Sequence, residues 1–251
     1  MSAENQNQQP IIEFRNVSKS FDGAVVLNEL SFKVYEGDVF CIIGGSGTGK
    51  SVTLKLLLGL LPIDDGEIFF KGQRISNLEE NELNQIRKQF GMVFQGSALF
   101  DSLSVFDNIA YPLIEHGGYS DDDIERIVME KLEVVDLKRA AYLFPADLSG
   151  GMKKRIGLAR AIAPNPQVIL YDEPTAGLDP ANVHRIDHLI LRMQSTFSVT
   201  SVLVTHNMES VYAVANRVAL LYDHKTRFVG SLEEFKSTQD AVVQGFVKGE
   251  I

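Results

Sequence analysis

Apolar and polar residues alternate where the chain first takes on a pattern. Ile12 and Phe14, then Leu30, Phe32 and Val34, fall on every second position, the spacing of strands with one buried face. Residues 39–43 (Val-Phe-Cys-Ile-Ile) form a continuous apolar run, which fits a strand covered on both faces, as in a parallel sheet. A glycine-rich turn follows, and residues 50–61 read as a helix stopped by Pro62. Asp64-Asp65-Gly66 reads as a turn and residues 68–70 as a short strand.

The middle of the chain has helical spacing. A helix is expected from Ser104 to Glu115, and a second from the acidic start Asp121-Asp122-Asp123, whose charge suits the positive end of a helix dipole. Ile124, Ile127, Val128, Leu132 and Val135 supply its apolar stripe, and a third helix is expected near Ser149. The last third returns to strands at 168–171, 202–204 and 218–222, separated by helices over 186–197 and 208–215. Strand and helix in alternation predict a mainly parallel α/β sheet. Its core is expected in residues 11–95 and 165–235, around a helical insertion.

Composition narrows the class. The chain has 251 residues, room for one large domain or one with a sub-domain. A net charge of −9 opposes general nucleic-acid binding, which needs a basic footprint. Cys41 is the single cysteine, so no internal disulfide can form, and it reads as a small buried hydrophobe. No apolar run reaches the ~18 residues of a membrane span. Residues 1–10 lack the pattern of a signal peptide and read as a disordered tail. The expected location is cytoplasmic, with any membrane role reached by docking on another protein.

Three stretches carry chemistry. Gly44-Gly45-Ser46-Gly47-Thr48-Gly49-Lys50-Ser51 matches G-x-x-x-x-G-K-[ST], with an apolar strand entering and a helix leaving. Glycines let the backbone curl so that several N–H groups face one anion, and the helix N-terminus adds partial positive charge. Lys50 would reach the β- and γ-phosphates, and the Ser51 hydroxyl would bind Mg²⁺. Asp172-Glu173 ends an apolar strand, where α/β sheets bind ligands. Asp172 is assigned to the Mg²⁺ shell and Glu173 to the attacking water. Ser149-Gly150-Gly151 opens a basic helix. It is either a second phosphate-binding helix end or a Ser-capped turn.

These stretches occur in one order with Gln95 in VFQ, Asp179 in AGLD and His206 in VTH. In that combination the sequence closely resembles the ATP-binding subunits of ABC transporters, over nearly the whole chain after residue 10. The resemblance implies an α/β P-loop NTPase fold of the ABC type, with a mainly parallel core, an antiparallel β part and a helical sub-domain at about 96–164. The ATPase domain would span 11–240, followed by a C-terminal tail at 241–251. It implies ATP and Mg²⁺ as cofactors, with Phe21 stacking on adenine. Gln95 would contact Mg²⁺ or the water, His206 the γ-phosphate, and Asp179 the dimer interface. It further implies a head-to-tail homodimer, each ATP lying between the loop at 44–51 and the partner copy's Ser149-Gly150-Gly151. Met152 stands where that family usually has glutamine.

Within the family, residues 94–113, 148–163 and the ending QGFVKGEI look most like the ATPase of Mla-type transporters, which serve MCE-domain proteins. That likeness implies phospholipid or another hydrophobic molecule as cargo, separate integral membrane permease subunits, an MCE-domain protein and a small accessory subunit as partners, and a peripheral place at the inner membrane. Residues 96–106 would line the groove for a permease helix. The alternatives are another transporter branch (amino-acid, metal or drug), a soluble ABC ATPase acting on nucleic acid, and a catalytically silent regulatory subunit.

Overall fold

The computed structural model describes residues 9–250. The tail expected at 1–10 therefore lies outside the described residues, apart from Gln9 and Pro10. The strands are β1 (Ile12–Phe21), β2 (Ala24–Val34), β3 (Val39–Gly44), β4 (Asp65–Phe70), β5 (Gln73–Arg74), β6 (Phe90–Val93), β7 (Val168–Asp172), β8 (Thr200–Val204), β9 (Arg217–Tyr222) and β10 (Lys225–Ser231). The α-helices are α1 (Lys50–Leu57), α2 (Glu80–Arg87), α3 (Val105–His116), α4 (Asp121–Val134), α5 (Gly150–Ile162), α6 (Pro180–Phe197), α7 (Met208–Val214), α8 (Leu232–Ser237) and α9 (Ala241–Lys248). They gather into two compact units, one holding the chain up to Ile86 and from Thr200 onward, the other Arg87–Val199.

The first unit has an antiparallel and a parallel part. β1 and β2 form a hairpin about Asp22-Gly23, both with positive φ, 49° and 82°, the backbone twist that two-residue hairpins need. β4 pairs with the other edge of β1 and continues into β5. β3 runs parallel to both β8 and β9, and β10 closes back on β9 antiparallel. Every residue of β3 and β8 is buried, as expected where both faces of a parallel sheet are covered. Phe32 joins the two parts: its ring lies 4.5 Å from Phe14 and 5.3 Å from Phe40.

The helix after β3 is shorter than its apolar pattern indicates. It ends at Leu57, and Gly59 takes φ +62°. The Gly59 N–H donates to the Leu56 carbonyl and the Leu60 N–H to the Lys55 carbonyl, the two bonds of a Schellman ending. Asp65 and Gly66, expected in a turn, belong to β4. The stretch 241–251 carries α9, whose first N–H groups donate to the Asp240 carboxylate.

The second unit packs α3, α4 and α5 on one another, with α5 against β6. β6 runs parallel to β7 from Phe90↔Val168 to Val93↔Tyr171. Gly91 allows close approach here, because a Cβ would fall 2.4 Å from the Ala161 carbonyl oxygen. β6, β7 and α6 thus cluster with the helical stretch at 96–164.

Candidate nucleotide site

In the first unit the loop at 44–51 joins the buried end of β3 to α1. Gly49 is the N-cap of α1, with φ +91°. A Cβ there would lie 2.5 Å from Leu27 Cδ2, so the loop is seated on β2. Gly45, Ser46 and Gly47 are exposed and Thr48 is half-buried. The Lys50 side chain is only 8% exposed. Its ammonium folds back over the loop and donates to the carbonyls of Gly44 at 2.9 Å and Gly45 at 2.8 Å. The Thr48 hydroxyl donates to the same Gly45 carbonyl. The lysine therefore lies inside the curl of the loop, and Ser51 follows in the first turn of α1, half-buried.

Two more expected residues belong to this unit. The β3–β8 register runs to Ile42↔Val204, and the Thr205 N–H donates to the Ile42 carbonyl. His206 follows at once and is exposed, at the end of the sheet where β3 enters the loop. Phe21 closes the hairpin opposite Ala24 and is 40% exposed, with the Lys19 ammonium 5.3 Å from its ring centre. Val26 and Leu27, just past that turn, are the side chains that meet Gly49.

The remaining expected residues belong to the second unit. Asp172 ends β7 half-buried, and Glu173 is buried with φ +47°. Left-handed backbone costs a non-glycine residue about 1–2 kcal/mol, so the surrounding packing holds Glu173 there. Gln95 follows β6 by two residues, exposed. Lys154 of α5 binds the two loops together: its ammonium donates to the Gln95 carbonyl and, at 3.5 Å, to the Glu173 carbonyl. Burial pushes the Lys154 pKa down, and the charges of Glu173 and Asp172 oppose that.

Ser149 caps α5, its hydroxyl accepting from the Met152 N–H at 3.3 Å. Gly150 is open to solvent, with nothing within 4 Å of a Cβ, whereas a Cβ on Gly151 would lie 2.6 Å from Asn182 Oδ1. Asp179 caps α6, accepting from the Asn182 N–H at 3.1 Å and from its side-chain amide at 2.6 Å. Those bonds, the side-chain amide first, hold the Asp179 carboxyl below its ordinary pKa. Asn182 thus packs close against Gly151 at the start of α5 and hydrogen-bonds Asp179.

Comparison with known proteins bears on this layout. The pattern of the family described as ABC transporter matches residues 27–176. A curated relative, the "Intermembrane phospholipid transport system ATP-binding protein MlaF" of Haemophilus influenzae, is 42% identical over 96% of this chain and 92% of its own length. This chain belongs to the ABC transporter family. Another relative, the "Probable ribonucleotide transport ATP-binding protein mkl" of Mycobacterium leprae, is 39% identical over 95% of this chain and 69% of its own length. Among solved structures, an ATP-binding cassette described as dimeric, in a post-hydrolysis state bound to ADP and Pi, superposes with a TM-score of 0.81 at 30% identity. That match covers 88% of this chain and 98% of the other. The fold is therefore the ABC-type P-loop ATPase fold, and the chain is an ATPase of that family.

Three residues of this cassette carry structure around the site that the sequence reading missed. Besides Lys154 and Asn182, Arg160 donates to the carbonyls of Ser97 at 2.8 Å and Ala98 at 2.7 Å. Both residues take positive φ, so the guanidinium stabilises a strained turn next to Gln95. A sequence signal existed for Lys154: with Gly151 and Leu158 it follows i, i+3, i+7 spacing, one face of α5, and all three are buried.

Proposed function

We propose that this chain is the ATP-binding and ATP-hydrolysing subunit of a transporter that moves phospholipid through separate permease subunits. The observation that carries the reading is the 44–51 loop, curled on β2 with Lys50 drawn over its carbonyls. Its residues suit ATP: small, exposed positions at 45–47 leave backbone N–H groups open to phosphate. Lys50 would bind the terminal phosphates, and the exposed Phe21 would stack on the base.

The donor set also suits Mg²⁺. Hydroxyl, carboxylate and amide oxygens of Ser51, Asp172 and Gln95 are hard ligands, and this ion is commonly held by one or two carboxylates together with substrate phosphates. No group of three or more His, Cys, Asp and Glu side chains with metal-binding geometry occurs among the described residues. Bound there, Mg²⁺ would neutralise charge on the phosphates. Glu173 would accept the proton of the attacking water, oriented with it by His206 and Gln95. Two copies would close on two nucleotides, each copy's Ser149-Gly150-Gly151 and Asp179 completing the other's site. Closure supplies the work, because ATP binds the closed state more tightly than the open one.

Phospholipid is preferred to ribonucleotide as cargo because the phospholipid-system relative is the more identical and is matched over more of its length. No helix among the described residues is long and apolar enough to cross a membrane. The proposal assigns membrane passage to permease subunits, with an MCE-domain protein and a small accessory subunit as further partners. It places this chain on the cytoplasmic face of the inner membrane. The test is mass spectrometry of the complex purified in detergent on this chain. Permease subunits with bound phospholipid are expected, whereas bound ribonucleotide cargo without lipid, or capture of nucleic acid, would overturn the assignment.

A further inference from the structure

Outside every residue assigned to nucleotide, α5, α6 and the turn that follows α4 line a cleft of about 410 Å³. Its lining is Asp136, Arg155, Arg185, His188, Leu189 and Arg192. Three guanidiniums and an imidazole therefore share one small space with a single carboxylate, on a chain whose net charge is −9. None of the three arginines is engaged in an ion pair among the described residues.

Two of the arginines are held in place. Arg155 Nη1 donates to the Val135 carbonyl at 2.9 Å and Arg192 Nη1 to the Val134 carbonyl at 3.0 Å. These are among the last carbonyls of α4, where a cation is favoured. Capping the helix uses one N–H of the five each guanidinium carries. The Arg155 Nε is buried with no hydrogen-bond partner in the structure, although buried donors are ordinarily paired. Burial and then the nearby Arg185 push the Arg155 pKa down, with Asp136 opposing. Like charges held this close are relieved by an anion placed among them.

We propose that this cleft is an oxyanion-binding site for a small molecule bearing phosphate or carboxylate groups. Guanidinium forks match both groups bidentately, and the cleft's volume is in the range of small-ligand pockets, about 300–1,000 Å³. Arg155 and Arg192 supply donors fixed by their bonds to α4, Arg185 and His188 add exposed cationic and imidazole groups, and Leu189 is the buried apolar part of the lining.

The full chain, saturated with a non-hydrolysable ATP analogue so that the terminal-phosphate position of its nucleotide loop is also filled, is titrated calorimetrically with inorganic phosphate and, separately, with citrate, at constant ionic strength. One saturable site per chain is expected in at least one arm. Binding of phosphate alone identifies a phosphate-bearing ligand, and binding of citrate alone a polycarboxylate. Arg185→Gln, an exposed change, should weaken that binding measurably, and Arg185→Gln/Arg192→Gln at least tenfold, with affinity for the ATP analogue unchanged. No saturable binding in either arm, or equal affinity in the double variant, would overturn the site.

Discussion

Adding one methyl group at Gly49 tests how the nucleotide loop is built. Gly49 has φ +91°, and a Cβ would fall 2.5 Å from Leu27 Cδ2 and 3.1 Å from Val26 Cγ1. The left-handed backbone costs alanine about 1–2 kcal/mol. Leu27 is fully buried and has no solvent to swing into, so overpacking adds about 1–3 kcal/mol. Gly47 is the internal control, with φ +78° but nothing within 4 Å of a Cβ, so Gly47→Ala should show the conformational cost alone. Gly49→Ala should thus lose about 2–5 kcal/mol in total, lowering Tm by roughly 4–20 °C for a chain of this size. Thermal unfolding of the three proteins without nucleotide reads this directly, and binding of a fluorescent ATP analogue should weaken more in Gly49→Ala than in Gly47→Ala. Equal Tm values for the two variants would refute the seating of the loop on β2.

Other outcomes follow from the same geometry. Lys154→Met removes the ammonium that joins the carbonyls of Gln95 and Glu173. A charge-assisted bond of this kind contributes about 1.5–3 kcal/mol, so kcat for phosphate release should fall about tenfold or more with KM little changed, and Lys154→Arg should restore part of it. Unchanged kcat in Lys154→Met would remove that role. Glu13 accepts from Arg15 at 2.8 Å and faces Lys33 at 3.4 Å. The Arg15 hydrogen bond, against an opposing burial effect and with help from Lys33, holds the Glu13 carboxyl below its ordinary 4.5. A lowered pKa stabilises the fold above 4.5, and the contribution is lost as pH falls through the folded-state value. Glu13→Gln should therefore be less stable than the parent at pH 7, by no more than about 1 kcal/mol because both cationic partners are half-exposed, and the gap should narrow as pH falls below 4.5. A gap of constant size between pH 7 and pH 3 in urea unfolding would contradict this. Lys50→Ala should lose ATP binding at least tenfold, measured by calorimetry, and binding at parental affinity would count against the loop as the phosphate site.

Much of the fold was legible because its strands bury both faces. β3, β7 and β8 read as strands from unbroken apolar runs, α3 and α5 from Ser104 and Ser149 at their starts, and α4 from its acidic opening and apolar stripe, whereas its cap Ser120 went unread. The end of α1 was misread because Leu58, Leu60 and Leu61 continue the apolar pattern. The decisive feature is Gly59, where a Cβ would lie 2.9 Å from Leu83 Cδ1, a tertiary contact that local pattern does not contain. α2 was missed because only Leu83 of its residues is buried, and β10 because its residues are all exposed or half-buried. In α9, Gly245 interrupts an otherwise good helical stripe. Around the site, residues whose type carries the chemistry, such as Lys50 and Glu173, were readable. Lys154 and Arg160 were not, because their partners are backbone carbonyls distant in sequence, and Asn182 was not because it lies outside every motif although it bonds nearby Asp179. Lys154 also sits in a Lys-Lys-Arg run that resembles a solvated face.

The most direct test of the whole account is ATP turnover and assembly state in Glu173→Gln. The parent chain should release phosphate from ATP in the presence of Mg²⁺. The variant should still bind ATP, release none, and migrate as a stable dimer on sizing only when ATP is present. Phosphate release by Glu173→Gln at the parental rate would contradict the account.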